Sequence, residues 1–176
     1  MTVSRDLDIV VYGATGFVGR LTAAYLAENL PDGVAVGLAG RSRTKLEKLA
    51  ADLGTDWRLI EANADDPASL TALAESTRVV ITTVGPYATY GLPLVQACAE
   101  AGTDYVDLTG EVLFHRESID RFDDVARRTG AASSTRAVST PSRPTSASMR
   151  STAPRRPTVT CRSPTRPSCS APSAAG

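Results

Sequence analysis

The first 130 residues predict a doubly wound parallel α/β sheet, and three observations carry that prediction. Short apolar runs alternate with longer amphipathic ones along this stretch. A glycine-rich turn, Gly13-Ala14-Thr15-Gly16-Phe17-Val18-Gly19, joins the first strand-like run to the first helix-like one. The strand-like runs are rich in β-branched residues, as in LDIVVY and VVITTV. Such runs belong to strands covered on both faces. Right-handed crossovers supply that cover by placing helices on both sides of the sheet.

Residues 7–12 form the first predicted strand. After the glycine-rich turn, Val18, Leu21, Tyr25 and Leu26 recur at helical spacing until Pro31-Asp32-Gly33 stops the pattern. Residues 34–39 make the second strand. Leu46, Leu49, Ala50 and Leu53 mark one face of the next helix, closed by Gly54. Residues 57–62 are the third strand. Asp66-Pro67 then supplies a capping acid and a proline at the first helical position, with Leu70, Leu73 and Ala74 as the face. Residues 79–84 are the fourth strand, and Leu94, Cys98 and Ala101 stripe a helix that ends at Gly102. Residues 105–108 are the fifth. Ile119, Phe122, Val125 and Ala126 stripe a last helix that ends at Thr129-Gly130. The expected strand order begins 3-2-1-4-5. A sixth strand belongs after Gly130, and nothing there reads as one, so five strands are expected with an open edge that invites aggregation.

Formal charge cancels over the 176 residues, 19 Lys and Arg against 19 Asp and Glu. The cancellation hides two different polymers. Residues 1–130 carry a charge of −7 and residues 131–176 a charge of +7. The second stretch holds 7 Arg, 11 Ser and 7 Pro, with no Leu, Ile, Phe, Tyr or Trp. It buries too little apolar surface to offset about 1–2 kcal/mol per residue of backbone entropy. Residues 1–130 are therefore expected to be the folding domain and 131–176 a disordered basic tail. No run reaches the roughly 20 apolar residues of a membrane-spanning helix. The acid-containing N-terminus does not read as a signal peptide. Cys98 is the only cysteine in the folding domain, which speaks against a disulfide framework or a zinc site. No metal is expected, and the compartment expected is the cytoplasm.

The glycine-rich turn leaves a strand and opens a helix, the context in which glycines let the backbone approach a pyrophosphate and free N–H groups favour the anion. Gly13, Ala14, Thr15, Gly16, Phe17, Val18 and Gly19 are the candidates for that contact. Glycine for close helix–strand packing alone is the plainer reading. An NAD site usually ends the second strand with Asp or Glu, to hold the ribose 2′-hydroxyl. Here the segment reads Gly40-Arg41-Ser42-Arg43. Arg41 and Ser42 suit a 2′-phosphate, so NADP is preferred over NAD, and Arg43 and Lys45 read as solvated helix charges. Gly85-Pro86 follows the fourth strand at the crevice and is placed beside the cofactor's central sugars, with a simple tight turn as the alternative. Asn63, Asp65 and Asp66 could edge the adenine pocket, Asp66 more simply as a cap. Asp107 and Glu111 read as exposed loop acids, and His115, the only histidine, as a surface residue. Tyr87-Ala88-Thr89-Tyr90 lacks the Tyr-x-x-x-Lys pattern of short-chain reductases. No catalytic residue is assigned.

VVYGATGFVGRL, GLAGRSRTKLEKLA and TTVGPYATYGLPLVQACAEAGTDYVDLTGE, in that order, resemble the saccharopine-dehydrogenase-like oxidoreductases, a group that includes bacterial trans-acting enoyl reductases. The resemblance covers residues 6–130. It implies an NADP-binding Rossmann domain followed by a larger substrate domain, hydride transfer to a small-molecule or lipid-linked substrate, and a link to lipid metabolism. It leaves room for peripheral membrane association of the intact protein. Two other classes stay open: a non-catalytic nucleotide-binding fragment, and an inert truncated product.

In the family, the segment after the last helix resembles R-I-V-H-A-C-G-F-D-S-x-P-S-D-L-G. With the wobble bases left free, reading the codons of residues 132–147 one base earlier can recover every position of that run. Ser133 becomes Ile, Ser134 Val, Thr135 His, Ala137 Cys, Thr140 Asp and Arg143 Pro. A one-base deletion near the Ala131 codon of a GC-rich gene is therefore expected. Out-of-frame GC-rich codons also account for a tail of Ala, Arg, Pro, Ser and Thr. The competing reading, a basic tail that binds nucleic acid or acidic lipid, lacks aromatics for base stacking, and no nucleic-acid partner is expected.

Overall fold

A computed structural model describes residues 5–134, which alternate strand and helix throughout. The elements are β1 (Leu7–Tyr12), α1 (Phe17–Asn29), β2 (Val36–Gly40), α2 (Arg43–Leu53), β3 (Arg58–Glu61), α3 (Pro67–Glu75), β4 (Thr77–Thr82), α4 (Tyr87–Ala101), β5 (Asp104–Val106), α5 (Val112–Thr129) and β6 (Ser133–Ser134). The strands form one six-stranded sheet in the order β3-β2-β1-β4-β5-β6, and every pair is parallel. β1 lies at the centre, with Ile9 opposite Val36 on one side and Val79 on the other.

Alternation of side chains along β1 builds two cores at once. Val10 and Tyr12 join Val80, Tyr105, Leu70, Leu73, Leu94 and Phe114 under α3, α4 and α5. Val11 joins Leu38, Leu46, Leu49 and Ala23 under α1 and α2. Two loops end as the glycine pattern predicts: Gly54 and Gly102 follow their helices in the left-handed region, at φ 66° and 72°. Asp66 caps α3 by accepting a hydrogen bond from Ala68 N at 3.1 Å, with Pro67 at the first helical position.

Four expectations need correction. First, β4 and β5 begin earlier than the apolar runs suggested, at Thr77 and Asp104, because backbone pairing with β1 and β4 sets their ends. Second, α1 has the right period but, apart from Leu26, which packs on the core, a different face. Gly19 and Ala23 are buried, whereas Leu21 and Tyr25 are 57% and 65% exposed, because the helix lies too close to the phosphate loop to admit large side chains. Third, α5 buries Phe114 and Ser118, and Ile119 stays exposed.

Fourth, the sheet has a sixth strand. Gly130, at φ 84°, ends α5, and the chain returns to the free edge of β5. There Tyr105 N donates to Ala132 O at 2.8 Å and Asp107 N to Ser134 O at 3.2 Å. Backbone groups alone make this ladder, so a short strand of serines needs no apolar signature. The disorder expected of the basic tail concerns, from residue 135 onward, positions outside the described residues.

Candidate functional site

The C-terminal ends of β1, β2 and β4, with the loop after β3, surround a crevice of about 300 Å³. Its lining includes Gly13, Thr15 and Gly16 from the loop after β1, Arg41 after β2, Asn63 and Asp65 after β3, and Thr83, Val84 and Gly85 after β4. This is the point where strand order reverses, so adjacent crossovers part to opposite faces and leave a gap. Gly13 holds φ 83°, and a Cβ there would lie 2.7 Å from Val84 Cγ2 and 2.8 Å from Thr83 Oγ1. A Cβ on Gly19 would collide with the Gly13 carbonyl and lie 2.8 Å from Ala14 Cα. The first glycine therefore lets the loop pass β4, and the last seats α1 on the loop.

All the crossover helices start at this end of the sheet, and three of them, α1, α2 and α4, differ in how their free N–H groups are met. α1 starts at Gly16 with no side-chain cap and no acid in its first turn. α2 starts at Ser42, whose hydroxyl makes no capping hydrogen bond. Arg41 beside it is exposed and has no hydrogen bond or ion pair among the described residues. α4 is closed by the chain itself: Tyr87 N donates to Glu111 Oε1 at 2.9 Å and Ala88 N to Glu111 Oε2 at 2.8 Å. Two positive helix ends thus stand open to anions and the third already holds a carboxylate. One phosphate group suits the open α1 end and another the Arg41 and Ser42 end.

The predicted site residues divide into two groups. Gly13, Thr15, Gly16, Arg41 and Gly85 line the crevice. Ala14 and Gly19 are buried beneath the loop. Phe17 and Val18 open α1 with exposed side chains, leaving their backbone as the part that faces an anion. Ser42 and Pro86 are the N-cap residues of α2 and α4, and the Gly85–Pro86 peptide is cis. Arg43 pairs with Glu47 at 3.3 Å on the surface of α2. Asp66 caps α3 and also edges a smaller hollow of about 150 Å³ with Arg41, Asn63 and Ser69.

Asp107 and Glu111 are not exposed loop acids. Asp107 is 1% exposed, accepts from Thr109 N at 3.1 Å and, by its charge, helps burial raise the Tyr105 phenol pKa. Glu111 receives α4. The sequence reading missed Glu111 because its partners lie on another element, 24 and 23 residues away, and Asp107 because its burial depends on the helices packed over the end of β5. It also missed Tyr12 and Tyr90, which line the crevice. Tyr12 is signalled by position alone, as the last residue of β1 before the glycine turn. Burial raises its phenol pKa, Arg41 opposes that shift and Asp65 adds to it. Among the described residues, no group of His, Cys, Asp and Glu is placed to hold a metal, and no helix is long and apolar enough to cross a membrane.

A dinucleotide phosphate fits what these residues leave open. The Gly13 and Gly16 backbone admits a pyrophosphate where a side chain would intrude, and Arg41 supplies an uncommitted guanidinium. Comparison with known proteins agrees. The family described as the saccharopine dehydrogenase NADP binding domain matches residues 9–142. Trans-acting enoyl reductases are 54% identical over 130 residues in Mycobacterium tuberculosis and 55% over 131 residues in Mycobacterium leprae, covering 72% of this chain. The chain spans 31% of the length of those relatives. Among solved structures, saccharopine dehydrogenase (L-Glu forming) from Saccharomyces cerevisiae superposes with a TM-score of 0.59 at 22% identity, over 73% of this chain and 26% of that one. Citrobacter sp. triphenylmethane reductase complexed with NADP(H) superposes with a TM-score of 0.55 at 20% identity, over 73% of this chain and 48% of that one. At these identities the two structures attest the fold.

Proposed function

The chain belongs to the saccharopine dehydrogenase NADP-binding domain family, and from that membership we propose that it is the cofactor-holding part of an NADP-dependent enoyl reductase. The pairing of a bare α1 N-terminus with the uncommitted Arg41 is the observation that carries the NADP assignment. Gly40-Arg41-Ser42 offers no carboxylate to hold a free ribose 2′-hydroxyl or to repel a 2′-phosphate. When bound, NADPH supplies a hydride from its nicotinamide ring. The chain's own residues bind and orient. Gly13 and Gly16 leave room for the pyrophosphate, the Phe17 and Val18 N–H groups at the uncapped start of α1 meet it, Arg41 and Ser42 hold the 2′-phosphate, and Asn63 and Asp65 edge the adenine. Val84 and Gly85 border the half of the crevice that points toward the reacting ring. Enoyl reduction is supported by the name and 54% identity of the mycobacterial relatives.

The substrate-binding part is a separate matter. Residues 131–176 hold no Leu, Ile, Phe, Tyr or Trp and supply no apolar core. We therefore propose that the 176-residue chain binds NADPH in the cytoplasm without turning over an acceptor. A frame shift near Ala131 accounts for that tail. Titration with NADPH is expected to raise the unfolding temperature saturably, with about 2.7 kcal/mol of stabilisation at a hundredfold excess over Kd. Arg41→Ala is expected to weaken NADPH about tenfold or more and to leave NADH little changed. A flat titration refutes nucleotide binding, and equal losses refute the 2′-phosphate assignment.

A further inference from the structure

We infer that Glu111 is a positioning residue for the nicotinamide half of the cofactor, acting through the loop that its carboxylate clamps; this rests on the NADP reading above. Glu111 is not among the residues lining the crevice. Its effect passes through the segment that joins β4 to α4. That segment is tied at both ends, and between them Val84 N donates only to the neighbouring Thr82 Oγ1, at 3.3 Å. At its start, Thr83 N donates to Tyr12 O at 3.0 Å and Thr83 Oγ1 to Gly13 O at 3.2 Å. At its end, the two oxygens of Glu111 take Tyr87 N and Ala88 N. Tyr87 Oη also donates back to Thr82 O at 3.2 Å. Val84 and Gly85, between the ties, form one wall of the crevice.

The clamp is itself braced. Glu111 N donates to Thr109 Oγ1 at 3.0 Å, and Thr109 N to Asp107 Oδ1 at 3.1 Å. Asp107 is buried at the end of β5, so alternate residues of Asp107-Leu108-Thr109-Gly110-Glu111 step from the sheet to the helix they hold. Two charge-assisted bonds from one carboxylate fix both the height and the direction of the α4 N-terminus. The occupied α4 end is unavailable to phosphate, which leaves the pyrophosphate to α1. With the adenosine 2′-phosphate at Arg41 on the β2 side, the other half of the dinucleotide extends toward β4, where Val84 and Gly85 stand. Glu111 therefore acts on that half and not on the adenosine half.

The test compares NADPH with adenosine 2′,5′-bisphosphate, which carries only the adenosine half, on the full chain and on E111A and E111Q. E111A is expected to weaken NADPH about tenfold and to leave the bisphosphate within about twofold, since a tenfold change corresponds to about 1.4 kcal/mol. E111Q keeps one acceptor oxygen and is expected to fall between. Bisphosphate affinity also reports whether each variant folds. If E111A loses both ligands together, E111Q decides: selective loss of NADPH supports the inference, and equal loss or no loss overturns it. If E111A binds both like the parent, the inference fails while the NADP reading stands. If the parent chain binds neither ligand, the NADP reading fails and takes the inference with it.

Discussion

Cys98 shows how burial at one residue becomes a property of the molecule. It is 1% exposed in the core beneath α4, and burial pushes its thiol from 9.0 up to about 12, with Arg5 opposing and Asp104 adding. Burial likewise raises Tyr105 and Tyr87. Below the unfolded value the thiol is protonated in both states, so this contribution to stability is complete. Above it the unfolded chain sheds its proton first, and stability falls as pH rises through the window from 9.0 to about 12. Urea unfolding at pH 8 and pH 10 is expected to show a loss smaller by about 1.4 kcal/mol in Cys98→Ala than in the parent. Equal losses mean that the native thiol is solvated. At this scale the sequence conveyed residue type better than environment. Gly16 and Arg41 stand where the motif placed them, but the identical letter at Gly19 serves packing, because only the approach of α1 to the Gly13 carbonyl distinguishes the two.

At the scale of elements, β6 is a strand with the right backbone and undersized side chains. Ser133 pairs with Tyr105, so its side chain faces α4 and α5. There it borders a groove of about 180 Å³ whose lining includes Val95, Cys98, Tyr105, Ile119 and Phe122. The exposure of Ile119, at 56%, follows from the same shortage of bulk. Ser133→Ile is expected to fill this groove and to stabilise the domain by about 1.5 kcal/mol in urea unfolding. Ser134 pairs with Val106 and leaves from the opposite face, so Ser134→Ile is the control and should gain nothing. A gain from both variants, or from neither, refutes the groove as an unfilled core position. Periodicity located α1 and α5 and part of each face: Leu26 and Phe122 pack on the core, whereas Leu21, Tyr25 and Ile119 stay exposed. A helical stripe tells which residues align and not which stripe meets the sheet.

Across the whole molecule, the charge division at Gly130 and the short β6 meet at one place. A frame shifted by one base is expected to read Ile at 133 and Val at 134, apolar side chains where the structure pairs a strand against β5. Resequencing the gene from the Gly130 codon past Ala147 is expected to show wobble bases that encode R-I-V-H-A-C-G-F-D in the shifted frame. Wobble bases that do not fit establish the basic tail as the gene's own product. The family match that runs to residue 142 and the relatives that extend well beyond it are consistent with a longer parent.

The order of elements, the helix-ending glycines, the Asp66 cap and the glycine loop followed by Arg41 were all legible in the sequence, because each rests on residues near one another in the chain. Pairing across elements was decided only in three dimensions. Examples are Glu111 on α4, Tyr12 in the crevice, and two serines completing the sheet. Local physics writes turns, caps and periods into adjacent letters. The burial of an acid and the occupant of a helix end depend on partners tens of residues away, which the sheet order brings together.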